Sequence, residues 1–130
     1  MNFHKRVTQN NYIREYVMVL NGLLDLTPRE IDVLSTLIKI DESWVNRSTN
    51  ELKNVTSTDS RRITMKENNM DKSNFTKIIC KLRQMKLLIK NVDGGWVINE
   101  LLKPKINKDK KIEITFILDL NDAPAVSETI

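Results

Sequence analysis

Cysteine occurs once in this chain, as Cys80, and histidine once, as His4. A lone cysteine excludes an internal disulfide, and the two residues together leave no Cys/His cluster with metal-ligand spacing. His4 lies in the first ten residues, which read as a flexible arm, so the one imidazole is poorly placed to activate a serine or cysteine. Only three glycines and three prolines occur among 130 residues. With abundant Lys, Glu, Ile and Leu, that scarcity favours a helix-rich chain over a loop-rich or all-β one. No apolar run approaches the roughly 18 to 20 residues of a membrane-spanning helix, and the opening Met-Asn-Phe-His-Lys-Arg-Val-Thr-Gln-Asn has no apolar signal core. A cytoplasmic location without membrane attachment is the expectation.

Catalytic patterns are equally sparse. Asp41-Glu42 reads as a solvated helix end rather than an acid/base pair, and Gly94-Gly95 lacks the strand-loop-helix setting of a phosphate loop. No catalytic residue, metal ligand or cofactor is assigned. Length and 40% apolar content fit one modest core. The expected division is a single domain over 1–118 followed by an acidic flexible tail over 119–130.

What is present is a marked separation of charge. The net charge is +4, but nine bases against two acids lie between Arg61 and Lys90, a local balance of +7. From Asp25 to Asp59 seven acids face four bases, and the tail from Asp119 carries three acids and no base. Concentrated positive charge suits a polyanionic partner.

The basic stretch also has the most legible local structure. Asp71 has the chemistry of an N-cap, and the following residues to about Met85 show helical periodicity. With Phe75 at the zero of a helical wheel, Ile78, Ile79, Leu82, Met85 and Lys86 fall within roughly 80° of it, whereas Ser73, Lys77, Cys80, Lys81 and Gln84 fall opposite. Two short β-prone runs follow, Leu88 to Val92 and Trp96 to Ile98, separated by a turn of Asp93, Gly94 and Gly95 whose glycines permit positive φ. Cys80, on the polar face, reads as an ordinary surface residue.

Upstream, Thr27-Pro28-Arg29-Glu30 is a capping box with proline at the first helical position, opening a helix to about Asp41. An earlier helix over roughly 11–24 carries Ile13, Tyr16, Val17, Leu20, Leu23 and Leu24. Ser43 to Ser57 reads as a polar loop with a short helix around 49–54. Asp59-Ser60 then looks like the cap of a helix reaching Lys66 or Asn68, with Ile63 and Met65 inward. Beyond the hairpin, Ile112 to Leu118 alternates like a strand. The loop over 103–111 has five lysines against Asp109, which suits either a phosphate backbone or solvent.

In this order of helix, turn, basic helix and glycine hairpin the chain resembles the MarR-like winged helix-turn-helix family, over about half its length. The expected fold is mainly α with a small β-wing: four to five helices plus a two- or three-stranded antiparallel sheet. Lys86 stands where the resembled pattern usually has Gly. The stretch from Gly94-Gly95-Trp96 through the lysine-rich loop is similar to winged-helix replication initiators of plasmids and phages, with Glu100 where those proteins show Pro. The resemblance implies a recognition helix over 71–86 in the major groove of duplex DNA. Lys72, Ser73, Asn74, Thr76 and Lys77 are the base-facing candidates, with Arg61, Arg62, Lys81 and Lys90 on phosphates and the wing over 88–98 near an adjacent groove. A transcriptional regulator is the first expectation, with a homodimer through the N-terminal helix. A replication initiator, or a phage-particle or protein-interaction module with phage or replication partners, remains the alternative. The richness in Asn, Lys and Ile suits a bacterial, plasmid or phage gene, a virion protein included.

Overall fold

Residues 2–44 and 52–120 are described by the computed structural model. They form α1 (Tyr12–Leu24), α2 (Pro28–Ser43), α3 (Thr58–Glu67), α4 (Lys72–Gln84), β1 (Leu88–Lys90), β2 (Trp96–Ile98) and a 3₁₀ turn, Glu100–Leu102. The architecture is helix-rich with a two-stranded antiparallel β-wing. Among the described residues no helix is long and apolar enough to cross a membrane.

α2 is the central element because its start is fixed and nearly its whole circumference is apolar or internally satisfied. Thr27 Oγ1 accepts from the Glu30 backbone N–H at 3.3 Å, and Glu30 Oε1 accepts from Thr27 N–H at 2.9 Å. Two amides that would otherwise lack partners at the helix start are thereby satisfied. Ile31, Val33, Leu34, Leu37, Ile38 and Ile40 are buried. Ser35 and Thr36 are buried too, their hydroxyls donating to the carbonyls of Ile31 and Asp32.

α1 packs on α2 through Ile13, Tyr16 and Val17. Leu20 and Leu24 are only half-buried and Leu23 is 69% exposed, so the buried face is narrower than the sequence suggests. The Asn21 side chain pins the link to α2, accepting from Leu26 N–H at 2.6 Å and donating to Leu26 O at 3.1 Å. Tyr12 Oη donates to Glu42 Oε1 at 2.6 Å, which ties the start of α1 to the end of α2. Burial and that acceptor push the Tyr12 phenol up to about 12.

α3 starts two to three residues earlier than expected, because Ser57 rather than Asp59 or Ser60 is its cap, accepting from Ser60 N–H at 3.2 Å. Its most deeply buried positions are also not the expected ones. Ser60 and Thr64 are fully buried, whereas Ile63 and Met65 are half-buried. Small hydroxylated side chains allow the close approach of α3 to α2, and Thr64 Oγ1 donates to Ser60 O at 2.8 Å, so burial leaves it satisfied. Of the short helix expected around 49–54, residues 49–51 lie outside the described residues and 52–54 are not helical.

Both helices of the α3-turn-α4 unit end alike. Asn69 and Lys86 adopt left-handed φ of 47° and 62°. Around each, paired amides close a Schellman motif: Met70 and Asn69 donate to Met65 O and Lys66 O, and Leu87 and Lys86 donate to Leu82 O and Arg83 O. Lys86 therefore adopts the conformation for which glycine is the usual choice, despite its Cβ.

In the wing, Leu88 pairs with Ile98, Ile89 with Val97 and Lys90 with Trp96. The outer side of β2 is met not by the 112–118 segment but by the chain just before α3: Val55 N–H donates to Trp96 O at 2.8 Å and Asn54 Oδ1 accepts from Trp96 N–H at 3.2 Å. With that edge taken, 112–118 forms no strand; its first residue, Ile112, makes one isolated bridge to Ile106. Ile112 and Ile114 still pack against the core, while Phe116, Ile117 and Leu118 are exposed. Asp41, the expected polar end of its helix, is 3% exposed. It pairs with Lys53 at 3.0 Å and with Lys103 at 3.4 Å, and Lys103 also meets Glu100 at 2.9 Å. One buried carboxylate thus binds the end of α2 to the segments before α3 and after the wing.

Candidate nucleic-acid interface

The outward face of α4 is built by its cap and its core stripe. Asp71 accepts from Asn74 N–H at 2.8 Å, and Phe75, Ile78, Ile79 and Leu82 are buried. That arrangement turns Lys72, Ser73, Asn74, Thr76 and Lys77 to solvent. None of these five side chains makes a hydrogen bond or ion pair with another described residue, so two cations, two hydroxyls and a carboxamide are free for an external partner.

The four residues assigned to phosphates are held in four ways. Arg61 is exposed and its Nε donates to Thr56 O at 3.1 Å. Arg62 pairs with Asp59 one turn before it on α3. Lys81 Nζ lies 2.8 Å from Glu30 Oε1, which commits it to the contact between α4 and the start of α2. Burial raises the Glu30 pKa, but the hydrogen bonds from Lys81 and Thr27 outweigh it and hold the carboxyl below its ordinary value. Lys90 Nζ sits 5.9 Å from the centre of the Trp96 ring. The structure therefore separates Arg61 and Lys90, which have no acidic partner among the described residues, from Arg62 and Lys81, which have one.

Arg83 is the residue that sequence reasoning passed over. Its Cζ lies 4.1 Å from the centre of the Trp96 ring, and its Nη2 donates to Thr56 Oγ1 at 3.4 Å, so it joins α4, the wing and the segment before α3. Burial lowers its pKa, the nearby Cys80 offsets part of that, and the Arg61 guanidinium adds to it. Its position about 80° from Phe75 on the helical wheel, at the edge of the core stripe, was the available signal.

The wing turn is clamped by Asn91. Its Oδ1 accepts from Asp93 N–H at 3.1 Å and Gly95 N–H at 2.9 Å, and its N–H donates to Gly95 O at 2.8 Å. Gly94 takes φ +88° in open space, whereas Gly95 is buried where a Cβ would collide with the carbonyl of Lys53. Val92, expected within the first strand, is fully exposed in the turn.

Past the wing, Asn107 organises a second turn: its Oδ1 accepts from Asp109 N–H and Lys111 N–H at 2.9 and 3.0 Å. Lys105, Lys108, Lys110 and Lys111 project from it, exposed and without an ion pair among the described residues. No group of three or more His, Cys, Asp or Glu able to hold a metal ion occurs among the described residues. No protein-family model matches the chain, and comparison with curated proteins and with solved structures likewise returns no match.

Proposed function

We propose that the chain binds duplex DNA, laying the N-terminal half of α4 in the major groove with the wing beside it, in the manner of a MarR-like transcriptional regulator. The observation that carries this reading is the unpaired polar face of Lys72, Ser73, Asn74, Thr76 and Lys77 on a helix whose other face is locked into the core. Asn offers the bidentate match to adenine and Lys the donor for guanine, while Arg61 and Lys90 flank the face as cations for phosphates. The exposed stripe of Met18, Val19 and Leu23 on α1 supports contact with a second copy, which would set two reading helices on one duplex.

The test is selection of duplexes from a random pool, followed by fluorescence anisotropy across a salt series. Saturable binding is expected, with log Kd linear in log salt, and Arg61→Ala with Lys90→Ala should reduce the slope by roughly 0.9 for each phosphate that the variant no longer neutralises. Failure of any duplex to enrich, with no affinity at low salt, would overturn the reading. For the second copy, Val19→Glu with Leu23→Glu should convert a sedimenting dimer to monomer; a wild-type monomer at every concentration removes that part.

A further inference from the structure

Burying a guanidinium with no anion beside it costs free energy, and a folded protein ordinarily supplies a carboxylate. Elsewhere this chain places a carboxylate beside its partly buried cations: Lys53 and Lys103 meet Asp41, and Lys81 meets Glu30. Arg83 is the exception. It is half-buried, its Nε is fully enclosed without an acceptor, and neither it nor its neighbour Arg61 has an acidic partner among the described residues.

Both arginines wall a cleft of about 60 Å³, together with Thr56, Phe75, Thr76, Ile79 and Cys80, and the lining includes no carboxylate. The cleft is partly open to solvent, so a phosphoryl group can approach the guanidiniums from outside. The guanidiniums are already placed. Trp96 and Thr56 Oγ1 hold Arg83, and the bond from Arg61 Nε to Thr56 O leaves the terminal nitrogens of Arg61 to reach another acceptor. Thr76 belongs to both the cleft and the base-facing set, so the cleft opens beside the exposed face of α4.

We propose that this cleft is an oxyanion site for one phosphodiester of the duplex backbone, gripped between Arg61 and Arg83 with the Thr76 hydroxyl at its rim. The source of the phosphate, though not the anion chemistry, rests on the DNA-binding reading above. The terminal nitrogens of Arg61 match the two non-bridging oxygens of a diester, and Arg83 adds a partly desolvated charged donor, a stronger contact than a solvated lysine.

The experiment follows the Arg83 Nε–H resonance by NMR during separate titrations with inorganic phosphate, with sodium chloride at equal ionic strength, and with a selected duplex. A saturable shift with phosphate and with duplex, absent with chloride and lost in Arg61→Gln while the amide spectrum is unchanged, is the expected result. Arg61→Gln and the charge-preserving Arg83→Lys should each weaken duplex binding about tenfold, and only Arg61→Gln should reduce the salt slope, by about 0.9. No saturable response to either phosphate or duplex overturns the site. A response to inorganic phosphate but none to a duplex that does bind overturns the backbone assignment. A response to inorganic phosphate from a chain that binds no duplex leaves the oxyanion site standing and sinks the DNA reading instead.

Discussion

Glu30 Oε1 stands 2.8 Å from Lys81 Nζ and 2.9 Å from the backbone nitrogen of Thr27, so one carboxylate closes the cap of α2 and holds α4 against it. Burial opposes ionisation, but the two bonds outweigh it and keep the Glu30 pKa below its ordinary value in the folded chain. A lowered folded pKa means stability that is present above the unfolded value of about 4.3 and is lost as pH falls through the folded one. Glu30→Gln should therefore flatten the dependence of Tm on pH below about pH 5. At neutral pH it should cost about 1 kcal/mol, because the cap weakens and the partly exposed Lys81 contributes little on its own. Thermal melts of wild type and variant between acid and neutral pH check this; parallel curves would show that Glu30 is not the group responsible.

The two adjacent wing glycines should respond differently to the same substitution. Gly94→Ala meets no neighbour but must hold φ near +88°, a cost of about 1 kcal/mol. Gly95→Ala forces the chain carrying Lys53 and Asn54 away from β2, breaking the Val55 to Trp96 bond, for about 3 kcal/mol. Urea unfolding of the two variants should rank them in that order, and equal losses would contradict the close packing at Gly95.

Lys86 carries a strained conformation for which its side chain offers no visible return. Lys86→Gly should stabilise the chain by about 0.5 to 1 kcal/mol, the relief of left-handed strain exceeding the added freedom of the unfolded state. The bond from Asn99 Nδ2 to Lys86 O involves only the backbone at position 86, so it survives the change. A destabilised glycine variant in equilibrium unfolding would mean that the lysine side chain does something further.

Legibility from sequence followed the range of the interaction. Thr27, Pro28 and Glu30 announced α2, Asp71 announced α4 and Gly94-Gly95 announced the wing, because caps and tight turns are settled within a few residues. Burial of Ser60 and Thr64 was not legible, since a hydroxyl that donates to its own preceding turn is polar in composition yet apolar in packing. Asp41 looks solvated in the sequence because Lys53 and Lys103, which make its burial tolerable, lie 12 and 62 residues away. The strand expected over 112–118 has the right alternation, but alternation cannot reveal that Asn54 and Val55 occupy the outer edge of β2.

If α4 reads bases, its polar face should divide into residues that set affinity and residues that set preference. Asn74 is exposed and uncharged, so Asn74→Ala should leave the salt slope unchanged while reducing discrimination at one base pair by about 1 to 3 kcal/mol. Lys90→Ala, on the wing beside that face, should weaken selected and scrambled duplexes alike and lower the slope. Lys81→Ala, whose ammonium is committed to Glu30, should lower Tm and change the slope little. Competition binding against single-base variants of the selected duplex measures the first effect and a salt series the other two. The division fails if Asn74→Ala shifts every duplex equally, because α4 would then lie along the backbone and carry its cations without reading the groove.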